Sequence, residues 1–331
     1  MPAEKADRLR SSRLYGGVGR TVARMLRKHG ADPQVESVPV MAAPAALPGR
    51  TQPSDPELQS AVQSIRRLSW YHTIDLGNGL VTPGMTDHRP FVDLYQLPES
   101  LDGLRCLDVG SLDGFWAFEM ERRGAAEVVA TDVAAWDQWD MRAESGGLMP
   151  TDQTMGDCFQ LAHRLLRSIV RRETCSVYEL SAERFGKFDL VLISDVLAHL
   201  RDPELALERV FGVTRGEVLI AEVYSPALEV FGDARLLEFK GGPAPSAWWV
   251  PNTNALKEMI VAAGFDAAQE LARFVWPARG VNSDGVAVVN RAAKVILRAK
   301  AGQPGTGDQA PRTAGTSQEM APALSHAGSS R

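Results

Sequence analysis

The sequence predicts an α/β fold, a doubly wound and mostly parallel sheet with helices on both faces. Three observations predict it. Short apolar runs alternate with helical stretches between residues 104 and 299, as strands joined by crossover helices do. The runs are nearly continuous in apolar residues, which suits strands covered on both sides. A glycine-bearing turn, Gly110-Ser-Leu-Asp-Gly114, follows the first run directly.

The elements follow in order. Asp55-Pro56-Glu57 can start a helix, with Leu58, Val62, Ile65 and Leu68 on one side. Trp70 to Pro90 is a loop rich in turn residues. Leu104–Val109 reads as a buried strand, Phe115–Arg123 as a helix and Glu127–Asp132 as the next strand. A helix is expected from about Cys158 to Arg172 and a strand over Cys175–Leu180. Phe188–Ile193 is a strand, Pro203–Phe211 a helix and Glu217–Glu222 a strand. Asn254–Ala263 is a helix stopped by Gly264, and strands near 267–276 and 292–299 bring the sheet to seven.

Charge divides the chain. Residues 1–50 hold nine Lys/Arg against four Asp/Glu, whereas 51–299 hold 24 against 35. The net charge of -5 therefore averages a basic arm and an acidic body, and such a body does not attract polyanions as a whole. The expected organisation is a basic arm with a Pro/Ala-rich linker over 1–55, largely disordered, then a helix and cap loop over 56–100. The main domain follows over 101–300, with a disordered Gly/Ser/Pro/Thr-rich tail over 301–331. Cys106, Cys158 and Cys175 are spaced for neither zinc nor a redox pair, which points to reduced thiols and a cytoplasmic location. No run approaches the roughly 18–20 apolar residues of a membrane span, and residues 1–30 lack the apolar core of a secretory signal.

The glycine turn at the carboxyl end of the first strand lets backbone approach a ligand, and the following helix presents its N-terminus there. Asp132, ending the second strand, can accept from both hydroxyls of a ribose. The dinucleotide pattern G-x-G-x-x-G is missing, since its positions read Gly110, Leu112 and Phe115. Asp108 and Asp113 flank the turn instead. Carboxylates suit a ligand carrying an ammonium and a sulfonium better than a pyrophosphate, which favours S-adenosylmethionine over NAD.

Four segments carry a family resemblance: LDVGSLDGFWAFEMERRGA at 107–125, VVATD at 128–132, FDLVLISDVLAHLRDP at 188–203 and WWVPNTNALKEMIVAAGF at 248–265. With them the chain resembles the class I S-adenosylmethionine-dependent methyltransferases over about residues 65–298, with their Rossmann-like fold. The fourth segment and Trp70-Tyr-His-Thr-Ile-Asp75 look closest to the tRNA wobble-uridine (carboxy)methyltransferase-like subgroup. The resemblance implies that Asp108, Gly110, Ser111, Asp113 and Gly114 line the donor pocket and that Asp132 binds the ribose. It also implies Glu179 and Leu180 near the adenine, and Ser194 and Asp195 facing the methionine moiety or the acceptor. Two departures matter. The subgroup's carboxymethyltransferases carry a Lys in the cap loop and a Tyr before the motif's His. The corresponding places here look like His72 and Ala198, so ordinary methyl transfer is expected.

A hydroxyl or amine acceptor needs a base. His199, just after the fourth strand, is one candidate, or else a histidine packed at a helix start; His72 is the second. His88, in Thr-Asp-His-Arg-Pro, reads as structural or exposed. Glu222 and Tyr224 end the fifth strand, either in an acceptor cavity or as a solvated strand end. Arg164, Arg167, Arg171 and Arg172 are expected on one helix, as phosphate contacts or a solvated face. No metal-ligand cluster is expected. The preferred reading is methyl transfer to a small-molecule acceptor, possessing no membrane partner. The alternatives are a tRNA wobble-uridine enzyme and a non-catalytic protein that retains the cofactor fold.

Overall fold

Alternation along the central strands sorts their side chains into two layers. The structure is a computed structural model that describes residues 56–140, 153–241, 247–281 and 287–302. The basic arm and most of the tail lie outside the described residues. Of two units, Met1–Ala301 and Gly302–Arg331, the first holds every element below.

Helix α1 (Pro56–Arg66) and a 3₁₀ turn (Arg89–Tyr95) precede β1 (Arg105–Val109), α2 (Phe115–Arg122), β2 (Glu127–Asp132), α3 (Asp157–Leu166) and β3 (Arg171–Thr174). Then come α4 (Ala182–Phe185), β4 (Phe188–Ser194), α5 (Pro203–Val213), β5 (Thr214–Val223), α6 (Pro226–Glu229), β6 (Leu237–Phe239), β7 (Trp249–Pro251), α7 (Thr253–Ala262), β8 (Gln269–Val281) and β9 (Ala287–Lys300). Seven strands form one sheet in the order β3-β2-β1-β4-β5-β9-β8. The first five are parallel, and β9 enters antiparallel between β5 and β8. The chain reverses direction across the sheet between β1 and β4, so the carboxyl ends of these neighbours open a crevice.

On one face Cys106, Ala130, Leu190, Leu192 and Leu219 pack with α2, α3 and the cap-loop residues Trp70, Ile74 and Leu76. On the other, Leu107, Val109, Val129, Val191 and Ile193 meet Leu207 and Val210 of α5 and Leu256 and Ile260 of α7. Each fully buried aliphatic side chain contributes about 1.5–3 kcal/mol, so this double layer fixes the strand ends that frame the site.

Two expectations need correction. The helix read to Arg172 stops at Leu166, where Arg167 turns left-handed at φ 53°. The third strand is Arg171–Thr174, not Cys175–Leu180, and residues Val177–Glu179 form a 3₁₀ turn. The reason is position: β3 is the sheet's edge, where Arg-Arg-Glu-Thr can face water. The four arginines therefore do not share a helix. Arg171 pairs with Glu127 at 3.2 Å and Glu173 at 2.5 Å. The sequence also gave no hint of the small β6–β7 ribbon. No helix of the described residues is long and apolar enough to cross a membrane.

Candidate active site

Gly110 ends β1 at φ 72°, and a Cβ there would stand 2.6 Å from Val196 Cγ2. Its side-chain-free backbone thus admits the turn that follows β4. Leu112 is left-handed at φ 51°, and its N–H donates to Asp132 Oδ2 at 2.7 Å. Asp132 Oδ1 accepts from Val133 N at 2.8 Å. Burial raises the Asp132 pKa, and these two N–H groups oppose the rise. Ser111 is buried, and its hydroxyl faces the Asp108 carboxyl, opposing the rise that burial gives that group's pKa.

Asp108 has a structural duty. Helix α2 begins at Gly114, which has no side chain to cap it, and Asp108 Oδ2 accepts from Ala117 N at 3.0 Å instead. Burial pushes the Asp108 carboxyl up to about 7. Gly114 itself sits at φ 95°, packed so closely that a Cβ would meet the Phe118 ring at 2.5 Å.

Asp113 holds the cap loop. Its Oδ2 accepts from Tyr71 N at 3.0 Å and His72 N at 2.8 Å, and His72 Nδ1 pairs with its Oδ1. The loop returns on itself through Thr73 N to Thr86 O at 2.6 Å and Thr82 Oγ1 to His72 O at 2.6 Å. His72 therefore lies buried against Asp113, stacked at 5.5 Å on Phe115. Beside the turn is a shallow cleft, open to solvent, lined by Trp70, Tyr71, Leu112, Asp113, Trp136 and Cys158.

A second group gathers at the ends of β4 and β5. Asp195, left-handed at φ 58°, pairs with Lys294 of β9, which is 0% exposed. The Lys294 ammonium also lies 3.7 Å above the Trp276 ring. Glu222, 1% exposed, accepts from Ala198 N at 3.2 Å and Val223 N at 2.8 Å. Burial, followed by the Asp195 charge, pushes Glu222 up to about 7. Tyr95 OH and Ser194 Oγ share a 3.3 Å hydrogen bond, and Ser194 Oγ donates to Asp195 Oδ2 at 3.4 Å.

His88 takes the structural one of its two expected readings, in surroundings the sequence did not show. It is neither exposed nor a simple turn residue: it is 0% exposed among His72, Phe115, Trp116 and Trp276, with ring centroids 5.0–5.6 Å away. Three aromatic neighbours distant in sequence create that environment, so nothing local signals it. His199 lies half-buried in the 3₁₀ turn Leu197–His199. Glu179 is exposed, with its carboxylate accepting from Ser176 N at 3.4 Å, and Leu180 is buried. Lys294 and Tyr95 were missed. The lone charge in Ala292-Ala-Lys-Val-Ile-Leu297 was the available signal for Lys294.

The methyltransferase domain family matches residues 88–270. Among solved structures, the YcgJ protein from Bacillus subtilis is 14% identical with a TM-score of 0.47, over 65% of this chain and 99% of that one. The N-terminal domain of EvdMO1, solved with SAH and D-fucose, is 15% identical with a TM-score of 0.48, over 76% and 100%. A putative RNA methyltransferase, PH1948 from Pyrococcus horikoshii, is 13% identical with a TM-score of 0.42, over 73% and 97%. No curated protein matched. The matched family spans more than half of the chain and coincides with the crevice between β1 and β4: this protein belongs to the methyltransferase domain family and is an S-adenosylmethionine-dependent enzyme.

Proposed function

We propose that the protein transfers an ordinary methyl group from S-adenosylmethionine to a small-molecule acceptor held beneath the cap loop. The residues at the glycine turn suit the donor. Each Asp132 oxygen accepts one backbone N–H and keeps a lone pair for a ribose hydroxyl. Ser111 is buried at the same turn, and the adjoining cleft is lined by Trp70, Tyr71, Leu112 and Trp136, the largely apolar and aromatic lining that small-molecule sites present. Asp108, Gly110, Asp113 and Gly114 shape the turn around that space. Ser194 frames the reacting end, and the backbone at Glu179 and Leu180 frames the adenine end. When bound, the donor supplies a sulfonium methyl carbon open to in-line displacement.

One observation carries the choice of a small acceptor: the reacting edge is enclosed. Tyr95, His88, Glu222 and Lys294 are all buried, with Tyr71 and His72 clasped over the turn by Asp113. Enclosure aligns two reactants and excludes water. The ordinary methyl donor is supported by the same edge. Ala198 offers no phenol, His72 is engaged by Asp113, and Asp195 already neutralises Lys294.

Calorimetric titration with S-adenosylmethionine and its carboxylated form tests the donor, with the ordinary form expected to bind more tightly. Preference for the carboxylated form would overturn the proposal. Transfer of labelled methyl in cell extract should mark the small-molecule fraction; label in tRNA would favour the wobble-uridine alternative.

A further inference from the structure

The edge formed by β4 and β5 holds two carboxyl groups and one ammonium. Asp195 and Glu222 stand on adjacent chain segments, tied by Asp195 N to Ala221 O at 2.9 Å. Lys294 sits on β9 opposite Val223 and pairs with Asp195. Tyr71 of the cap loop and Tyr95 of the 3₁₀ turn bring phenols toward the same carboxyls. Both phenols are made less acidic, first by burial and then by the Asp195 charge. His88 Nε2 lies 3.8 Å from Asp195 Oδ2, and neither ring nitrogen has a hydrogen-bond partner. Burial, then the charges of Lys294 and His72, keep that imidazole neutral. The cluster therefore carries one more acid than base, plus an unpartnered buried ring directed at it. An uncompensated buried carboxylate is costly unless it is protonated or meets a cation.

We propose that Asp195 and Glu222 form the counter-charge subsite for the donor's sulfonium, where Glu222 gives up its proton as that cation arrives and takes one from the acceptor during transfer. This rests on the methyl-donor reading above. β4 adjoins β1 in the sheet and β5 adjoins β4, and Val196, next to Asp195, lies against Gly110 of the glycine turn, so the pair stands at the same carboxyl edge as that turn. A cation there favours the ionised carboxyl, and Glu222 at about 7 is poised to respond near neutrality.

In the transfer, a bond forms between the acceptor's oxygen or nitrogen and the methyl carbon. The carbon–sulfur bond breaks and its electron pair stays on sulfur. The acceptor's O–H or N–H proton passes to Glu222. The product site then holds a neutral thioether beside a protonated carboxyl, which restores the resting charge. The acceptor class is thereby narrowed to compounds with a hydroxyl or amine proton to lose.

Calorimetry of the full chain in two buffers of different ionisation enthalpy tests this without an acceptor. Near neutral pH, S-adenosylmethionine should release a measurable fraction of a proton per site more than S-adenosylhomocysteine, and the difference should vanish at alkaline pH, where Glu222 is already ionised. Glu222→Gln should bind both ligands and abolish the difference. Equal proton release in the native protein, or a difference that survives in E222Q, overturns the proposal. If E222Q does not fold, the pH series on the native protein decides alone. Failure of either ligand to bind would instead remove the methyl-donor reading itself.

Discussion

Lys294 and Asp195 form an ion pair that joins the last strand of the sheet to the left-handed turn after β4. Neither charge is well solvated, so removing one strands the other. Lys294→Met should lower the unfolding free energy by about 3–5 kcal/mol in urea denaturation. The double variant with Asp195→Asn should lose less than the sum of the two single losses, because no lone charge is left.

The cap loop should depend on a single carboxylate. Asp113→Ala removes acceptors for Tyr71 N and His72 N and the partner of the His72 ring. A loss of about 3 kcal/mol is expected, together with faster amide hydrogen exchange across 71–86. Unchanged protection of that loop would show that other contacts hold it.

At Asp132, substitution separates donor binding from folding less cleanly, since two backbone N–H groups also lose their acceptor. Asp132→Ala should weaken S-adenosylmethionine roughly ten- to hundredfold by calorimetry. An unchanged Kd would put the ribose elsewhere.

Leu112 occupies a backbone conformation that favours glycine. Ordinarily Ala is the more stabilising of the pair, but here Leu112→Gly should exceed Leu112→Ala in stability by about 1 kcal/mol. Thermal or urea unfolding of the two variants measures this directly.

Asp108 predicts a pH dependence. Its folded pKa, raised by burial to about 7, lies above its ordinary 3.8. Between those values the folded protein holds a proton that the unfolded chain has lost, so this group's stabilisation is full below about pH 4 and disappears as pH rises through 7. His88 opposes it, because its lowered pKa makes the unfolded chain the better proton binder below 6.5. The comparison that isolates Asp108 is Asp108→Asn, which keeps an acceptor for Ala117 N. The gain of D108N over the native protein should grow by a few kcal/mol from pH 5 to pH 8.

The sheet was legible wherever a strand is buried on both faces. Phe188–Ser194 and Glu127–Asp132 announce themselves through the apolar runs at 190–193 and 128–130, with burial to match. The edge strand Arg171–Thr174 did not, because an edge needs no such run. The glycine turn and Asp132 were readable as one local motif with a fixed strand-turn-helix context. The clasp at Asp113 was not, since its partners lie about 40 residues away and the contact is to backbone N–H groups that any residue would supply. The same holds for His88: its surroundings come from residues 115, 116 and 276. Glu222 could be placed at a strand end from sequence, but its neighbour Lys294 could not, because β9 enters the sheet out of chain order.

That late insertion bears on how the enzyme comes into being during synthesis. Asp195 and Glu222 leave the ribosome well before Lys294, yet both end up in the interior beside it. Until the β8–β9 hairpin docks, the nascent sheet exposes the long flank of β5, and its acids have no internal cation. The final strand thus acts as a completion check, since Asp195 meets its cation only when the domain has been translated through Lys294.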